Sequence, residues 1–500
     1  MDLLINGIVQ LLTPKPFLLV LTGTFLGVIG GALPGITGAM MIALTLPMTF
    51  NMVPANGLTL LIGMYVGAIS GGLITATLMR MPGTPAAVMT TFDGYPMALG
   101  GRPGRALGLG ITASFVGGMI AWVFLIVLSE PLADIATRFG PFEYFTLVLM
   151  ALVLIASVSE GSMIKGLLSG LLGMLFAMPG VDETAGGVPR ITFGLYYLNS
   201  GLGLLPVLIG VFCVSQLISD IVAIERRAEA AQISTKGIFM TLRDWKNQAF
   251  NLVRSSLIGT WVGILPGIGA NIGSVISYTT AKNMSKTPEK FGSGSEEGVI
   301  ASEAANNATV GGALIPLIAM GIPGSVIDAV LIGALMIHNI QPGPTLFINN
   351  PDLVYIMMAA YMMGNILMFL IMMSSVGRIS RLMFVPRAYL LPPILVFCII
   401  GSFAVNNTMF DVWVMLGFGV LGYFLERSDV PLGPFVIGFV LAPIAEAKLR
   451  SGLMMTAGDF KPIFLRPLCL IFVLISLVLL VWPIYKHVRE TRSKKSPALG

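Results

Sequence analysis

From residue 16 to residue 79 the chain carries no Asp, Glu, Lys or Arg. Water gives no reason for an uncharged stretch of that length, and a helix needs only about 20 apolar residues to cross a bilayer. Yet the stretch is interrupted at Leu33-Pro34-Gly35, and Pro and Gly are the residues that end helices. Non-helical backbone is tolerated at membrane depth only where it is buried in protein or lines a wet cavity. A break there needs a purpose.

Further uncharged runs lie at 106–129, 191–219, 255–281, 304–327, 353–377, 388–410 and 467–485, with shorter ones at 144–159, 166–181, 412–425 and 430–445. From these runs and the crossings within 16–79, the expected number of spans is about 11–12. The composition, 55% hydrophobic and 11% charged, excludes a soluble globular chain of this size. The expected fold class is all-α, a polytopic membrane protein; a β-barrel would show short alternating strands instead. The N-terminus lacks the basic region of a signal peptide, so the first apolar stretch is expected to be retained. Cys213, Cys398 and Cys469 lie far apart in apolar segments and suggest neither a disulfide framework nor a metal site. No H-E-x-x-H or P-loop occurs, so zinc hydrolysis and ATP coupling find no support. The net charge of +5 sits mainly in membrane-flanking loops and is no nucleic-acid footprint.

The break has a partner. GVIGGALPGI (27–36) matches GTWVGILPGI (259–268) in the frame G-x-x-x-G-x-L-P-G-I. GGLITATLMRMPGT (71–84) matches GGALIPLIAMGIPGS (311–325), with one extra residue in the latter, and PVLIG (206–210) pairs more weakly with PFVIG (434–438). Three correspondences in one order divide the chain into a first membrane repeat, 16–222, and a second, 255–450. A linker at 223–254 joins them; an extra helix at 467–485 and a basic tail at 486–500 follow. Arg226, Arg227, Lys236, Arg243, Lys246 and Arg254 make the linker cytoplasmic on the positive-inside rule, as do five basic residues in the tail. An outside N-terminus then requires an odd number of crossings in the first half, hence inverted repeats. The loop 446–466, with Lys448, Arg450, Lys461 and Arg466, pulls the other way; the larger clusters carry more weight.

Discontinuous helices at matched positions of two repeats are where secondary transporters build substrate and ion sites. Freed N–H groups at a half-helix start suit a carboxylate, and freed carbonyls at a half-helix end suit Na⁺. Four Pro-Gly breaks fit this pattern. The expected substrate- and cation-binding residues are Pro34, Gly35, Thr37 and Gly38; Pro82, Gly83 and Thr84; Pro266, Gly267, Gly269 and Asn271; and Pro323, Gly324 and Ser325. Asn306 and Asn307 join them from SEAANNATVGG (302–312), where Glu303 and Asn307 stand one helical turn apart. No metal beyond a possible Na⁺ at the breaks is expected, and no other cofactor. Packing is the competing reading, because G-x-x-x-G also joins membrane helices and interhelical hydrogen bonds also use amides. His338, ending an apolar helix, reads as structural. Asp93 reads as a turn stabiliser, and Asp328, five residues past a Pro-Gly, as the more interesting acid.

These motifs resemble the large membrane subunit of tripartite tricarboxylate transporters, the TctA family. The stretches are GALPGITGAMMIALTLPMTF (31–50), MPGTPAAVMTTFDGYPMALGGRPGRALGLG (81–110), GSMIKGLLSGLLGMLFAMPGVDETAGGVPRITFG (161–194), GILPGIGANIGSVISYTTAK (263–282) and GVIASEAANNATVGGALIPLIAMGIPGSVIDAVLIGALMIHNIQPGP (298–344). The resemblance implies a secondary transporter of the bacterial inner membrane, not an enzyme. It further implies import of an organic carboxylate on a Na⁺ or H⁺ gradient, with a periplasmic substrate-binding protein and a small four-helix membrane subunit. The alternative is a membrane scaffold or enzyme with packing glycines, for which no nucleophile or metal cluster is found. One departure is local: Arg80 and Met81 stand before Pro82-Gly83, where such proteins usually have a small or apolar approach.

Overall fold

The structure, a computed structural model, describes residues 2–158, 162–182, 187–222, 231, 233–267 and 269–495. Most of the linker segment 223–232, with Arg226 and Arg227, therefore lies outside the described residues, as do Ile268 and the end of the tail. Apart from a short β-hairpin, the regular structure of the described residues is helical. In chain order the first part comprises α1 (Asp2–Leu11), α2 (Pro14–Gly31), α3 (Gly38–Thr49), α4 (Pro54–Met79), α5 (Val88–Leu99) and α6 (Pro103–Thr137). Next come α7 (Pro141–Val158), α8 (Met163–Phe176), strands β1 (Gly180–Asp182) and β2 (Val188–Arg190), α9 (Leu204–Ile209) and α10 (Ser215–Val222). The second part holds α11 (Leu242–Ile264), α12 (Gly269–Met284), α13 (Glu296–Met320), α14 (Val326–Ile337), α15 (Thr345–Asn349) and α16 (Pro351–Ile379). The chain closes with α17 (Arg387–Asn406), α18 (Met409–Arg427), α19 (Leu432–Met455), α20 (Pro462–Leu465) and α21 (Pro467–Lys495).

Among the described residues, eight helices are long and apolar enough to cross a membrane, making this a multi-pass membrane protein. The number is lower than the uncharged runs implied for two reasons: the described helices in the runs 144–159, 166–181 and 467–485 are short, and two other runs straddle a break. The run 255–281 is not one helix: it divides at Leu265-Pro266-Gly267 between α11 and α12. The run 304–327 holds the end of α13 and the first residues of α14, and α13 itself starts back at Glu296.

Two compact units emerge, and they do not follow the sequence halves. One comprises Met1–Thr137 and Gly203–Tyr423, the other Arg138–Leu202 and Phe424–Gly500. Within the second unit α7 and α8 pack on α19, and α21 packs on α7. The contact is close: a Cβ on Gly438 of α19 would collide with the Gly170 carbonyl of α8. The cations that complicated the 446–466 loop are engaged here. Arg450 lies 2.8 Å from Glu446, which also binds Arg190, and Arg466 lies 3.0 Å from Glu143. The Lys448 ammonium sits 5.0 Å from the Tyr144 ring centre.

The larger unit holds all four Pro-Gly breaks. Its two main helix pairs are built alike. Gly23, Gly27 and Gly31 of α2 press in turn on the carbonyls of Leu60, Met64 and Ala68 of α4, so the two helices run parallel. Gly259 and Gly263 of α11 press on Ala305 and Thr309 of α13, again parallel. Gly27, Gly31, Gly259 and Gly263 are the G-x-x-x-G residues of the repeated decamer, so its first half does pack helices, as small residues in membranes do. The central helices α4 and α13 pass each other in opposite directions. Tyr65 reaches Ser325 beyond the end of α13, and Ser70 reaches Asn307 in its middle. Thr77 lies beside Gly94 of α5, whose neighbour Asp93 meets Gly298 near the start of α13.

Local chemistry sets the helix limits. Thr241 and Asp244 form a capping box at the start of α11, and Ser295 caps α13. Arg105 of α6 donates to Asp244 at 2.7 Å and to Glu296 at 2.8 and 3.2 Å. The starts of α6, α11 and α13 are thereby tied together at one face.

Candidate functional site

Each half presents the same two breaks. In the first pair the chain leaves α2 or α11, passes Leu-Pro-Gly and resumes as α3 or α12. Gly35 and Gly267 both have positive φ, 92° and 73°, a conformation in which any other L-residue is strained. That requirement, rather than a ligand, explains these two glycines locally. A Cβ on Gly35 would also lie 2.9 Å from the Asp220 carboxylate of α10, an acid not foreseen in the sequence. After the turn, Thr37 caps α3 by accepting from the Met40 N–H at 3.2 Å.

In the second pair the chain leaves α4 or α13 through a left-handed residue, Arg80 (φ 55°) or Gly321 (φ 70°). The Arg80 departure is therefore a helix C-cap in which arginine occupies the position its counterpart gives to glycine. Pro-Gly follows, then Thr84 or Ser325 as cap. Ser325 accepts from the Asp328 N–H at 3.3 Å and starts α14.

The four breaks close into a ring. Gly83 has no room for a Cβ because the Gly31 carbonyl is there, and a Cβ on Gly324 would likewise lie 3.0 Å from the Gly263 carbonyl oxygen and 2.6 Å from Ala313. Each second break thus rests on the helix end of the first break in its own half. Between halves, a Cβ on Gly38 would meet Ile327 of α14 at 2.9 Å. The turn Pro85–Ala87, just past Thr84, packs on α12. All the residues expected at the breaks therefore lie on this one ring. Gly269 faces open space and Asn271 is half-buried, while Gly83, Thr84, Pro323 and Gly324 are buried.

The crossing of α4 and α13 within this core is polar. Ser70 donates to the Asn307 side-chain oxygen at 2.7 Å, and Tyr361 of α16 donates to the Asn307 carbonyl at 3.0 Å. Glu303 accepts from Thr90 of α5 at 2.5 Å and from Ser114 of α6 at 3.1 Å. Among the described residues, several buried polar atoms have no well-aligned hydrogen bond: both amide atoms of Asn306, which lies beside Glu303, Nδ2 of Asn307, Oγ1 of Thr77 and Thr84, Oδ1 of Asn365 and both carboxylate oxygens of Asp328. Native interiors hold few such atoms, because each costs about 1–3 kcal/mol. Most of the unsatisfied buried side-chain atoms among the described residues lie at the ring and the crossing. Tyr65, Ser70, Thr90, Ser114 and Tyr361 were missed in the sequence. The available signal was weak: hydroxyls within otherwise apolar helices.

Asp93 does stabilise a turn, but one in the other half. Its Oδ1 accepts from the backbone N–H groups of Gly292, Gly294 and Ser295 at 2.8–2.9 Å, and its Oδ2 from Tyr278 at 2.7 Å. His338 caps the end of α14, with Nε2 near Gly57.

Residues 17–437 match the family model described as the tripartite tricarboxylate transporter TctA family. A protein of Agrobacterium vitis, described as an uncharacterized 52.8 kDa protein in the TAR-I ttuC' 3' region, is 34% identical over 497 residues, covering 99% of each chain. A second from the same organism, described as an uncharacterized protein in the TAR-II ttuC' 3' region, is 34% identical over 236 residues. That alignment covers 47% of this chain and 98% of the relative. No solved structure matches the chain significantly.

Proposed function

The chain belongs to the tripartite tricarboxylate transporter TctA family, the large subunits of these transporters, and from that premise we propose that it imports an organic carboxylate across the bacterial inner membrane on a Na⁺ or H⁺ gradient. A periplasmic substrate-binding protein delivers the acid, and a small four-helix membrane subunit completes the complex. The observation that carries the reading is the closed ring of four breaks around a crossing rich in unsatisfied buried polar atoms.

The chemistry follows from the parts. Helix starts at α3 and α14 carry partial positive charge from freed N–H groups, which favours a carboxylate. Asn306, Asn307 and Thr84 offer neutral donors. The ring segments 34–38, 82–84, 266–271 and 323–328 contain no Lys, Arg or His. A di- or tricarboxylate bound there needs its charge balanced by something other than a side chain, and a co-transported cation does that. The opposed run of α4 and α13 supports two inverted halves, with the Arg105 face, flanked by Lys236, Arg243 and Lys246, as the cytoplasmic one. Rocking or elevator movement of this core then exposes the ring alternately.

The test is uptake into proteoliposomes of labelled citrate, dicarboxylates and aromatic acids under imposed Na⁺ or H⁺ gradients. With both partner proteins present, one acid class should accumulate against its gradient; the chain alone should transport poorly. Robust high-affinity uptake by the chain without partners, or no gradient-dependent uptake by the complex, sinks the reading.

A further inference from the structure

Asp328 occupies an unusual position. It is fully buried in the first turn of α14, and among the described residues neither carboxylate oxygen has a well-aligned hydrogen bond; only the Ser325 and Tyr65 hydroxyls and the Ser325 backbone N–H stand close enough to interact with it. Its polar neighbours are Ser325 and Tyr65, whose hydroxyls are 3.0 Å apart. Tyr65 comes from α4 in the first half, whereas Ser325 and Asp328 belong to the second.

Among the described residues, the elements packed on α14 supply no positive side chain. Helix α14 packs on α3, α4, α9 and α13. Neither α3 nor α9 contains a titratable residue. Helix α4 contributes Tyr65. Helix α13 carries Glu303, which is held by Thr90 and Ser114, and Glu296 and Glu297 at its far start. His338 stands at the opposite end of α14. An ionised carboxylate in such surroundings is costly unless a positive charge joins it, and the helix start offsets only part of that cost.

We propose that Asp328, with the Ser325 and Tyr65 hydroxyls, binds one positive charge, a Na⁺ ion or a proton, and that this is the coupling site. The charge-binding part stands by itself; the coupling role rests on the importer reading. An oxygen cluster of one carboxylate and two hydroxyls is suited to a hard monovalent cation. Because the cluster draws on both halves, loading it changes the contact between them, which is what coupling requires.

The test uses the purified full-length chain in detergent. Thermal stability is measured as Na⁺ replaces K⁺ at constant ionic strength, and separately as pH is varied without Na⁺. Wild type, Asp328→Asn and, as a control, the exposed Asp352→Asn are compared. A Na⁺-specific rise in Tm that Asp328→Asn abolishes assigns the site to Na⁺. A pH dependence that Asp328→Asn flattens, without a Na⁺ effect, assigns it to a proton. Identical Na⁺ and pH responses in wild type and Asp328→Asn overturn the proposal. Should Asp328→Asn fail to fold, Ser325→Ala and Tyr65→Phe must each weaken the response by at least about threefold in half-saturating ion, about 0.7 kcal/mol; unchanged responses overturn the site. Cation binding without carboxylate uptake by the complex would keep this site and sink the importer reading. Gradient-driven uptake that survives intact in Asp328→Asn would do the reverse.

Discussion

In the first half, Gly83 rests on the carbonyl of Gly31; in the second, Gly324 rests on that of Gly263. Helices α2 and α4 interlock through glycines as α11 and α13 do. Chemically the halves diverge. Glu303, Asn306, Asn307 and Asp328 all belong to the second, while the first answers mainly with hydroxyls, Tyr65, Ser70, Thr84 and Thr90, and with one acid, Asp220, beside Gly35. The difference separates two demands on the duplicated sequence. Close helix approach has to be met in both copies, because each broken helix leaves backbone groups that only tight packing can shelter. Ligand chemistry has to be supplied once, since the two copies face the same crossing.

The largest effect should come from the contact that joins the halves. Asp93→Ala leaves three backbone N–H groups without their acceptor, at about 1–3 kcal/mol for a buried one. Folded protein recovered in detergent should fall sharply, and Asp93→Asn should recover only part. Little change in yield or Tm would mean that the 292–295 turn holds by itself.

Next come the packing glycines, which test whether the halves are mechanically equivalent. Gly31→Val and Gly263→Val each drive a side chain into a neighbouring helix backbone, costing about 1–3 kcal/mol or more. Their losses of Tm should be similar. A tolerant half would break the equivalence.

Gly35→Ala and Gly267→Ala are milder on stability, since each places a methyl at positive φ for about 1–2 kcal/mol. Uptake and Tm measured together separate strain from site. Uptake should fall well beyond what the Tm loss accounts for; if the two losses track each other, these glycines serve only the turn.

The smallest effect is a gain. Arg80→Gly gives the first half the cap that Gly321 provides in the second and should stabilise by about 1 kcal/mol. Gly321→Ala should lose at least as much, because its Cβ would also lie 2.8 Å from the Pro342 carbonyl oxygen. Opposite signs in a denaturation series confirm the correspondence of the two caps, and equal signs refute it.

Four Pro-Gly breaks, their pairing and the membrane class were readable in the sequence because each rests on local chemistry: a missing N–H, a positive φ, an uncharged run. The run 255–281 misled, because absence of charge does not distinguish a crossing helix from a hairpin with a tip. Cys213 and Cys398, far apart in sequence, prove to be neighbouring free thiols. Asn306 and Asn307 were legible as polar residues at the threshold of a span, but their partners were not. Ser70 meets Asn307 across 237 positions, and Thr90 meets Glu303 across 213. Which helix faces which is fixed by the summed packing of whole helices. The sequence by itself determined where the chain bends and how closely it can pack; the tertiary structure alone decided that the bends close into one ring, and that Asp328 is buried within it among hydroxyls.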